Sequence, residues 1–409
     1  MTTSVILALA TGLPVVATRH SGFPDQVIPG KNGYLSNEAD PKDFAEKMLQ
    51  YLDHPEVWSD MSEAARELAF ARYDKNILIK KQFDFYRKFG DVKKVAFVVG
   101  TFPVISETFI IDQIGDLRDL GLDIEVYTFR DGSTENVSDR YVNDKMGEMV
   151  HSLAMPKNYL KRFIKAIPKF TRILFANPLA AFRTLNIFKY GSLSYSLQLI
   201  FWVEPFIGID ADLVHCHFGT IANHFLTIKE VLGLKQPFVT TFYGYDISQV
   251  TKQKGERYYD LLKQESALFF SMSENMKERM VEQGFDASAI EVLPISVDVA
   301  SFPFSRRALK ENETVEILSV GRFVEKKGFD DLLKALVIVK ERSKRKFMCH
   351  IIGGPKDKEK ELRELAEQLG VSGVVEWKGY VKKEEIVEYL MKMHLYVQAS
   401  KTAANGDME

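Results

Sequence analysis

The chain has 409 residues, of which 46% are hydrophobic and 27% are charged, and its formal net charge is −2. This length allows two or three domains with a large core, and the near-neutral charge gives no indication of a nucleic-acid partner. The two cysteines, Cys216 and Cys349, argue against a disulfide framework and favour a reducing compartment. No basic segment precedes the apolar run at residues 5–10, and no run reaches the ~18 apolar residues of a membrane span. The sequence therefore predicts a soluble, cytoplasmic protein without a signal peptide.

Residues 1–90 contain short helices and strands but no clear first strand for a sheet of their own. Ser4–Ala10 is an apolar run typical of a helix, and Val15–Thr18 is a short β run. Ser21 and Gly22 begin a turn that continues through Phe-Pro-Asp. A globular domain rarely begins with short elements that lack a clear first strand.

The first strand typical of a parallel sheet is Val95–Val99, a continuous apolar run that follows two lysines. Gly100 and Thr101 form the turn after it, and a helical run leads to the next strand, Ile124–Phe129. Strand and helix patterns alternate beyond this point, which predicts an α/β protein with parallel sheets. The backbone N–H groups at Gly100 and Thr101 either approach a diphosphate closely or belong to a plain turn between strand and helix.

Residues 156–203 contain eight lysines or arginines and no aspartate or glutamate. Large apolar residues, among them Phe163, Ile164 and Phe175, alternate with these cations. Two interpretations remain open. The segment is either a basic amphipathic surface that contacts anionic lipid or an anionic acceptor, or a set of helices packed on their own domain with a solvated basic face.

Polar residues follow or end two later strands. His215 and His217 lie on one face of the strand Ala211–His217, which also suggests a pair of metal ligands, although no third ligand is evident. Tyr243 and Asp246 follow the next strand along the chain. They are candidates for a site, and a simple turn at a strand end is the alternative.

The segment Gly321–Gly328, Gly-Arg-Phe-Val-Glu-Lys-Lys-Gly, follows the apolar strand Val315–Val320 and precedes an amphipathic helical run. A strand, a turn with two cations and a helix N-terminus together can hold a diphosphate. Arg322 would fork onto phosphate oxygens, and Lys327 would supply a point charge. A solvated charged loop is the alternative.

Several of these stretches together resemble a retaining glycosyltransferase of family four, with the GT-B fold, over nearly the whole chain. The motifs that carry the resemblance are Phe102-Pro103 with Ser106–Phe109, His215–Gly219, Thr241–Asp246, Gly321–Gly328 and Gly12–Thr18. One such motif is weak evidence, whereas several at plausible separations are strong. The resemblance is closest to bacterial polysaccharide-type members. It implies two Rossmann-like domains whose parallel sheets face a cleft.

The order of the segments departs from the family. In the family, the part that matches residues 1–90 comes last, after a loop of the type Gly-Asp-Met-Glu seen at 406–409. We therefore interpret the chain as circularly permuted, and a rearranged gene that joins the tail of one copy to most of another is the alternative. The predicted units are the C-terminal part of a donor (nucleotide-sugar) domain at 1–74, a returning helix at 75–90, an acceptor-side domain at 91–307 and the N-terminal part of the donor domain at 308–409.

The resemblance implies transfer of a sugar from a nucleotide diphosphate-sugar to an acceptor hydroxyl with retention, with no metal or other cofactor. The acceptor would be a glycan or a lipid-linked glycan in polysaccharide or glycolipid assembly, and residues 156–203 could contact the inner membrane face. Arg322 and Lys327, beside Gly321, would stabilise the charge on the leaving diphosphate, and Glu409 would contact sugar hydroxyls. The other implied site residues are Gly100 and Thr101 against the diphosphate, Ser21 and Gly22 beneath the donor, His217 near the acceptor, Tyr243 at a position near the transferred sugar that often holds a histidine, and Asp246.

One position departs from the family pattern. The donor loop of the family has two glutamates eight residues apart; here either one residue has been lost or Leu7 stands where the second is expected. By resemblance that carboxylate holds the ribose, so its loss would weaken donor binding roughly ten- to a hundredfold. A catalytically impaired homologue is therefore an alternative function, and a nucleotide-sugar epimerase on the same fold is another. A dinucleotide oxidoreductase is disfavoured because no Gly-x-Gly-x-x-Gly follows Val95–Val99.

Overall fold

The computed structural model describes residues 3–104, 107–135, 137–310, 313–381 and 383–408. Its strands are β1 Val15–Thr18, β2 Gly33–Ser36, β3 Lys94–Phe102, β4 Asp123–Asp131, β5 Val150–Ser152, β6 Leu213–His217, β7 Phe238–Thr241, β8 Leu268–Ser271, β9 Ile290–Val292, β10 Val315–Arg322, β11 Phe347–Gly354, β12 Val375–Gly379 and β13 Leu395–Gln398. Its helices are α1 Thr3–Ala10, α2 Phe23–Gln26, α3 Pro41–Leu52, α4 Trp58–Tyr73, α5 Lys75–Arg87, α6 Thr108–Asp119, α7 Asp139–Asn143, α8 Tyr159–Ala176, α9 Pro178–Thr184, α10 Ile187–Tyr190, α11 Ser192–Tyr195, α12 Gln198–Val203, α13 Gly219–Leu232, α14 Thr251–Lys254, α15 Asp260–Glu265, α16 Glu274–Glu282, α17 Phe329–Arg342, α18 Lys356–Gln368 and α19 Lys383–Lys392.

A seven-stranded sheet, in the order β5-β4-β3-β6-β7-β8-β9, forms the first domain, and its neighbouring strands all pair in parallel. The predicted strand Val95–Val99 lies within β3, and all five of its residues are buried. Continuous apolar runs such as this one suit a sheet that is covered on both faces by helices. The carboxyl ends of its strands consequently lie at one edge of the sheet.

A six-stranded parallel sheet, in the order β12-β11-β10-β13-β1-β2, forms the second domain. β1 lies between β13 and β2, with Val15 opposite Tyr396 on one side and Gly33 on the other. The strands near the start of the chain thus complete a sheet whose other four strands lie between residues 315 and 398. Residues 15–36 and residues 315–398 therefore contribute strands to one sheet.

Helix α5 returns the chain to the first domain. Leu78, Ile79 and Tyr86 from this helix belong to the same buried cluster as Val95 and Phe97 of β3. Apolar residues on one face of the helix are the reason for this packing, since they recur at helical spacing. The segment 75–87 therefore packs on the seven-stranded sheet rather than on the sheet that precedes it in the chain.

Residues 302–307, which lie between β9 and β10, contain a structural anchor. Arg307 is only 3% exposed, and its guanidinium donates to the carbonyl oxygens of Thr11, Leu390 and Met391 at 3.0–3.1 Å. These carbonyls lie at the C-terminal ends of α1 and α19, where a cation is favourable. Burial lowers the pKa of Arg307 to about 10. Sequence periodicity offered no sign of this role.

The predicted α/β architecture of two domains with parallel sheets is confirmed. Within the described part of the chain, no helix has the length and apolar character needed to cross a membrane.

Candidate active site

The carboxyl ends of the strands in the two domains face each other across a cleft. A cavity of about 480 Å³ is lined by Thr108 and Phe109 from the first domain and by Ser4 and Leu7 from the second. The carboxylate of Asp25, in the turn after β1, accepts the backbone N–H of Glu274 at the start of α16, at 2.8 Å. Because ligands of open parallel sheets bind beyond the carboxyl ends of the strands, this cleft is the candidate active site.

On the first-domain edge, His217 and Tyr243 are joined by a hydrogen bond of 2.9 Å between His217 Nδ1 and the Tyr243 hydroxyl. The backbone N–H of Tyr243 donates to the Asp246 carboxylate at 3.1 Å. His217 and Asp246 are fully buried, and Tyr243 is half-buried. Three of the predicted site residues therefore form one connected group.

The burial of this group shifts its titration. Burial lowers the pKa of His217 to about 3, so this imidazole is neutral at physiological pH. Burial raises the pKa of Asp246 to about 7, although backbone N–H groups of Tyr243, Gly219 and Thr220 act in the opposite direction. Burial also raises the pKa of the Tyr243 hydroxyl, which therefore stays protonated.

His215 has both ring nitrogens engaged by protein hydrogen bonds. Its Nδ1 lies 2.5 Å from the Tyr86 hydroxyl, and its Nε2 lies 2.7 Å from the Thr241 hydroxyl. This arrangement leaves no His215 nitrogen for a metal beside His217. Among the described residues, no group of three or more His, Cys, Asp or Glu side chains could hold a metal ion.

Gly100 and Thr101 lie near the C-terminal end of β3. β3 pairs with β6, and β6 is the strand that carries His217. Both are half-buried. A Cβ at Gly100 would approach the Ile221 side chain to 3.3 Å, which is tight but not prohibitive. The structure thus places both residues on the same edge as His217.

On the second-domain edge, β10 ends at Gly321 and Arg322. The aliphatic stem of Lys327 passes over Gly321, where a Cβ would lie only 3.2–3.5 Å from its carbons. Arg322 is exposed and lines a cavity of about 440 Å³ together with Gly354 and Tyr380. Glycine at position 321 therefore makes room for the lysine beside the arginine.

This second cavity adjoins the cleft, since Ile386 lines both. Gly328 has a φ of +64°, and a Cβ there would collide with the carbonyl oxygen of Ala399 just after β13. This close approach fixes the start of α17 against the strand edge. The cationic turn is consequently held by backbone packing.

The turn at Ser21 and Gly22 follows β1 on the second-domain edge, and Ser21 has a φ of +49°. Gly22 is buried and immediately precedes α2. The turn continues into Asp25, whose bond to Glu274 crosses between the domains. No sequence pattern indicates this contact between the domains, because Asp25 and Glu274 are far apart along the chain.

Glu409 lies outside the described residues. The preceding residue, Met408, contacts both domains: its sulfur lies 2.7 Å from Arg279 Nη1, and its carbonyl oxygen accepts from Lys326 at 2.9 Å. Leu7, one candidate for the position of the second acid, is 5% exposed and lines the cleft.

The structure brings the predicted residues that it describes together in two groups, one on each edge of the cleft. Sequence analysis did not single out the residues that support them: Tyr86 against His215, Asp25 and Arg279 between the domains, and Lys326 on the 407–408 segment. Each of these contacts joins residues more than 75 positions apart. No local pattern could have indicated them.

Two family models match the chain. The model described as Glycosyl transferases group 1 matches residues 2–68 and 301–406, and the model described as Glycosyltransferase Family 4 matches residues 106–301. The first model thus matches two segments that flank the second, and together these segments build the six-stranded sheet.

Curated relatives include the putative colanic acid biosynthesis glycosyltransferase WcaL of Escherichia coli (strain K12), 28% identical over 329 residues, 77% of this chain and 77% of the relative. The amylovoran biosynthesis glycosyltransferase AmsK of Erwinia amylovora is 28% identical over 323 residues, again 77% of each. Among solved structures, the apo form of the lipopolysaccharide outer core galactosyltransferase WaaB overlaps 75% of this chain and 74% of its own, with 16% identity and a TM-score of 0.46. The chain therefore has segments similar to glycosyltransferase group 1 and to glycosyltransferase family 4, on two parallel-sheet domains with the GT-B fold.

Proposed function

We propose that the protein transfers a sugar from a nucleotide diphosphate-sugar to an acceptor hydroxyl with retention of configuration. The observation that carries this proposal is the cationic turn at the end of β10, where Arg322 and Lys327 lie beside a cavity that adjoins the cleft. Negative charge grows on the diphosphate as the glycosidic bond breaks. Cations fixed in advance at that position stabilise the transition state more than the ground state.

The two cations have different parts in this proposal. Arg322 is exposed on the cavity wall and offers a planar fork to two phosphate oxygens. Lys327 is 8% exposed, with its stem over Gly321, and adds a point charge close to the backbone. Gly100 and Thr101 on the opposite edge supply backbone N–H groups to the same diphosphate.

The first-domain group faces the sugar and the acceptor. His217 is neutral, and its buried Nε2 has no hydrogen-bond partner among the described residues, so it is suited to a substrate hydroxyl. Tyr243 orients His217 through Nδ1 and fixes its tautomer. Glu409 would contact sugar hydroxyls, Asp246 would hold the loop after β7, and Ser21 and Gly22 would lie beneath the donor. The departing phosphate would take the acceptor proton, so no metal is needed.

The names of the relatives indicate the setting. WcaL and AmsK are named for colanic acid and amylovoran biosynthesis. We infer that this chain acts in assembly of a surface polysaccharide or glycolipid, on a glycan or lipid-linked acceptor. The two buried cysteines are both free thiols, in agreement with a cytoplasmic location.

We also propose that the chain is circularly permuted relative to its family. Support comes from the group 1 model, which matches residues 2–68 and 301–406, and from β1, which lies between β13 and β2. Residues 3–7 and 406–408 both reach the boundary between the domains. A joined order of 91–409 followed by 1–90 would give the same sheet.

A second candidate function is a homologue that folds but binds its donor weakly. The buried, apolar Leu7 favours this candidate, because a leucine cannot accept hydrogen bonds from a ribose. The two candidate functions predict different effects on donor binding when an acid is placed at position 7. In the impaired homologue, Leu7→Glu would strengthen the weak donor binding of the natural chain.

Calorimetry with uridine and guanosine diphosphate sugars tests both candidates. We expect one of these donors to bind the natural chain. In an assay of sugar transfer, Arg322→Ala should slow the reaction by about 10²–10³-fold. The control Lys344→Ala, which changes an exposed cation on the loop after α17, should leave the transfer rate unchanged. Transfer should persist in the presence of a chelator. If neither the natural chain nor Leu7→Glu binds any of these donors, the transferase proposal is wrong.

A further inference from the structure

Exposed apolar side chains are concentrated on the helices α8–α11 of the first domain. Of the 22 large hydrophobic residues that are exposed in the described part of the chain, twelve lie between 159 and 195. They are Tyr159, Leu160, Phe163, Ile164, Ile167, Phe175, Leu179, Phe182, Leu185, Ile187, Phe188 and Tyr195. Single exposed apolar residues are ordinary, whereas a concentration of this kind marks a surface that contacts something apolar.

Helix α8 has two separate apolar faces. Ala166 and Ile173 point into the protein, where they pack with Ala180 and Ala181 of α9. Leu160, Ile164 and Ile167 recur at i, i+4 and i+7, and all three are more than half exposed. Packing within the domain therefore accounts for the first face and leaves the second uncovered.

Cations border the uncovered face. Helical spacing places Lys161, Lys165 and Arg172 on a common side of α8, next to the exposed apolar stripe. Lys157, Lys161 and Lys165 are exposed and make no ion pair with any described residue. By contrast, Lys169 and Arg172 pair with Glu204. Three lysines thus offer their charge to a partner outside the domain.

We propose that the exposed faces of α8–α11 dock on an anionic membrane surface, with the apolar side chains among the acyl chains and the lysines at the headgroups. Apolar residues flanked by lysines are the arrangement that interfacial helices use. The contact lies on the surface and does not span the bilayer, since α8 has only 18 residues and carries several cations.

A second copy of the chain is a less suitable occupant. A two-fold symmetric contact would place the same surface against itself, and residues 156–203 contain no acid that a second copy could offer to Lys157, Lys161 and Lys165. An anionic bilayer supplies both the missing negative charge and an apolar layer. Charge complementarity therefore selects the membrane.

The proposal is independent of the chemistry in the cleft, because vesicle binding needs no sugar donor. Co-sedimentation of the full chain with phosphatidylcholine vesicles that contain about 30% phosphatidylglycerol should show binding that falls at high salt, and phosphatidylcholine alone should bind much more weakly. A double variant, Lys161→Glu with Lys165→Glu, should weaken binding to the anionic vesicles by about 30-fold.

The apolar part is tested by Ile164→Glu, with Leu261→Glu on α15 as the matched control. The two positions are almost equally exposed, at 57% and 56%, and only the first lies on the proposed surface. Ile164→Glu should reduce binding at least tenfold, Leu261→Glu should not, and both should unfold at the same temperature as the natural chain.

Equal binding to both vesicle types, or an equal loss in the control variant, would overturn the proposal. So would a dimer in vesicle-free solution that Ile164→Glu abolishes while vesicle binding remains, because the surface would then belong to a second copy. Donor calorimetry on the same variants should be unchanged, which separates this result from failure of the transferase proposal.

Discussion

The two edges of the cleft present their polar groups in different ways. On the first-domain edge, His217 and Asp246 are fully buried and Tyr243 links them, so the group is assembled by the protein's own contacts. On the second-domain edge, Arg322 is exposed on a cavity wall, at the end of a strand whose position is fixed by backbone packing. The difference indicates that the polar groups of the first edge are already in position before a ligand binds. The second edge instead presents an exposed positive charge to the ligand.

The largest effect should come from Gly328, which sets the position of the cationic turn. In Gly328→Ala, the new Cβ would collide with the carbonyl oxygen of Ala399, and the positive φ would add strain. We expect urea denaturation to show a loss of more than about 4 kcal/mol in the free energy of unfolding.

Gly373→Ala is the control for this change, because a Cβ there meets nothing within 4 Å. Its stability should stay within about 0.5 kcal/mol of the natural chain. A loss below about 1 kcal/mol in Gly328→Ala would contradict the view that backbone packing holds the second edge.

An intermediate effect should come from the titration of Asp246. Its pKa in the folded protein, about 7, is raised above the unfolded value by burial, so the folded state holds a proton that the unfolded state has released. Stability from this group is fully present below the unfolded pKa and is lost as the pH rises through about 7. Relative to Asp246→Asn, which does not titrate, the natural chain should lose about 2–3 kcal/mol between pH 5 and pH 8.

Denaturation at both pH values, with the two proteins side by side, measures this difference. His217 acts with the opposite sign, since its folded pKa is depressed and its contribution is lost as the pH falls below the unfolded value. Comparison with the variant removes that contribution. If the difference in stability between the natural chain and Asp246→Asn does not change with pH, Asp246 is ionised in the folded protein. Water would then reach the first edge despite its burial.

The smallest effect should come from the hydroxyl of Tyr243. Tyr243→Phe removes the hydrogen bond to His217 Nδ1 but keeps the ring, so we expect a loss of about 1 kcal/mol in stability and less than about tenfold in transfer rate. Tyr245→Phe, at an exposed position of the same loop, should change neither. A hundredfold loss of transfer with stability unchanged would make Tyr243 a group that acts on the substrate and would weaken the contrast between the edges.

The elements were predictable where a periodic or continuous apolar pattern marked them. Val95–Val99 is buried at every position and Val315–Val320 at four of its six positions, as expected for strands that lie between helices. The pairing of Val15 with Tyr396 was predictable only because the motifs at the two ends of the chain resemble neighbouring parts of one family domain. Composition and spacing alone do not carry that information.

The supporting contacts of the site were not predictable in this way. Tyr86 comes from α5, and its hydrogen bond to His215 depends on how that helix packs across β3 and β6. Arg307 is charged and lies in an irregular segment between β9 and β10, and its burial is explained by the helix ends that it binds. Such contacts follow from tertiary packing, which sequence patterns describe least well.

The position of β1 between β13 and β2 also bears on how the chain is made. The seven-stranded sheet uses one continuous stretch of chain and can form soon after that stretch leaves the ribosome. The six-stranded sheet cannot close until β13 has been synthesised, so β1 can pair with β2 but lacks its other neighbour while the intervening chain is added. During that interval the apolar helix α1 and the open edge of β1 are exposed to wrong partners, and we expect the yield of folded protein to depend on chaperones and on the speed of translation.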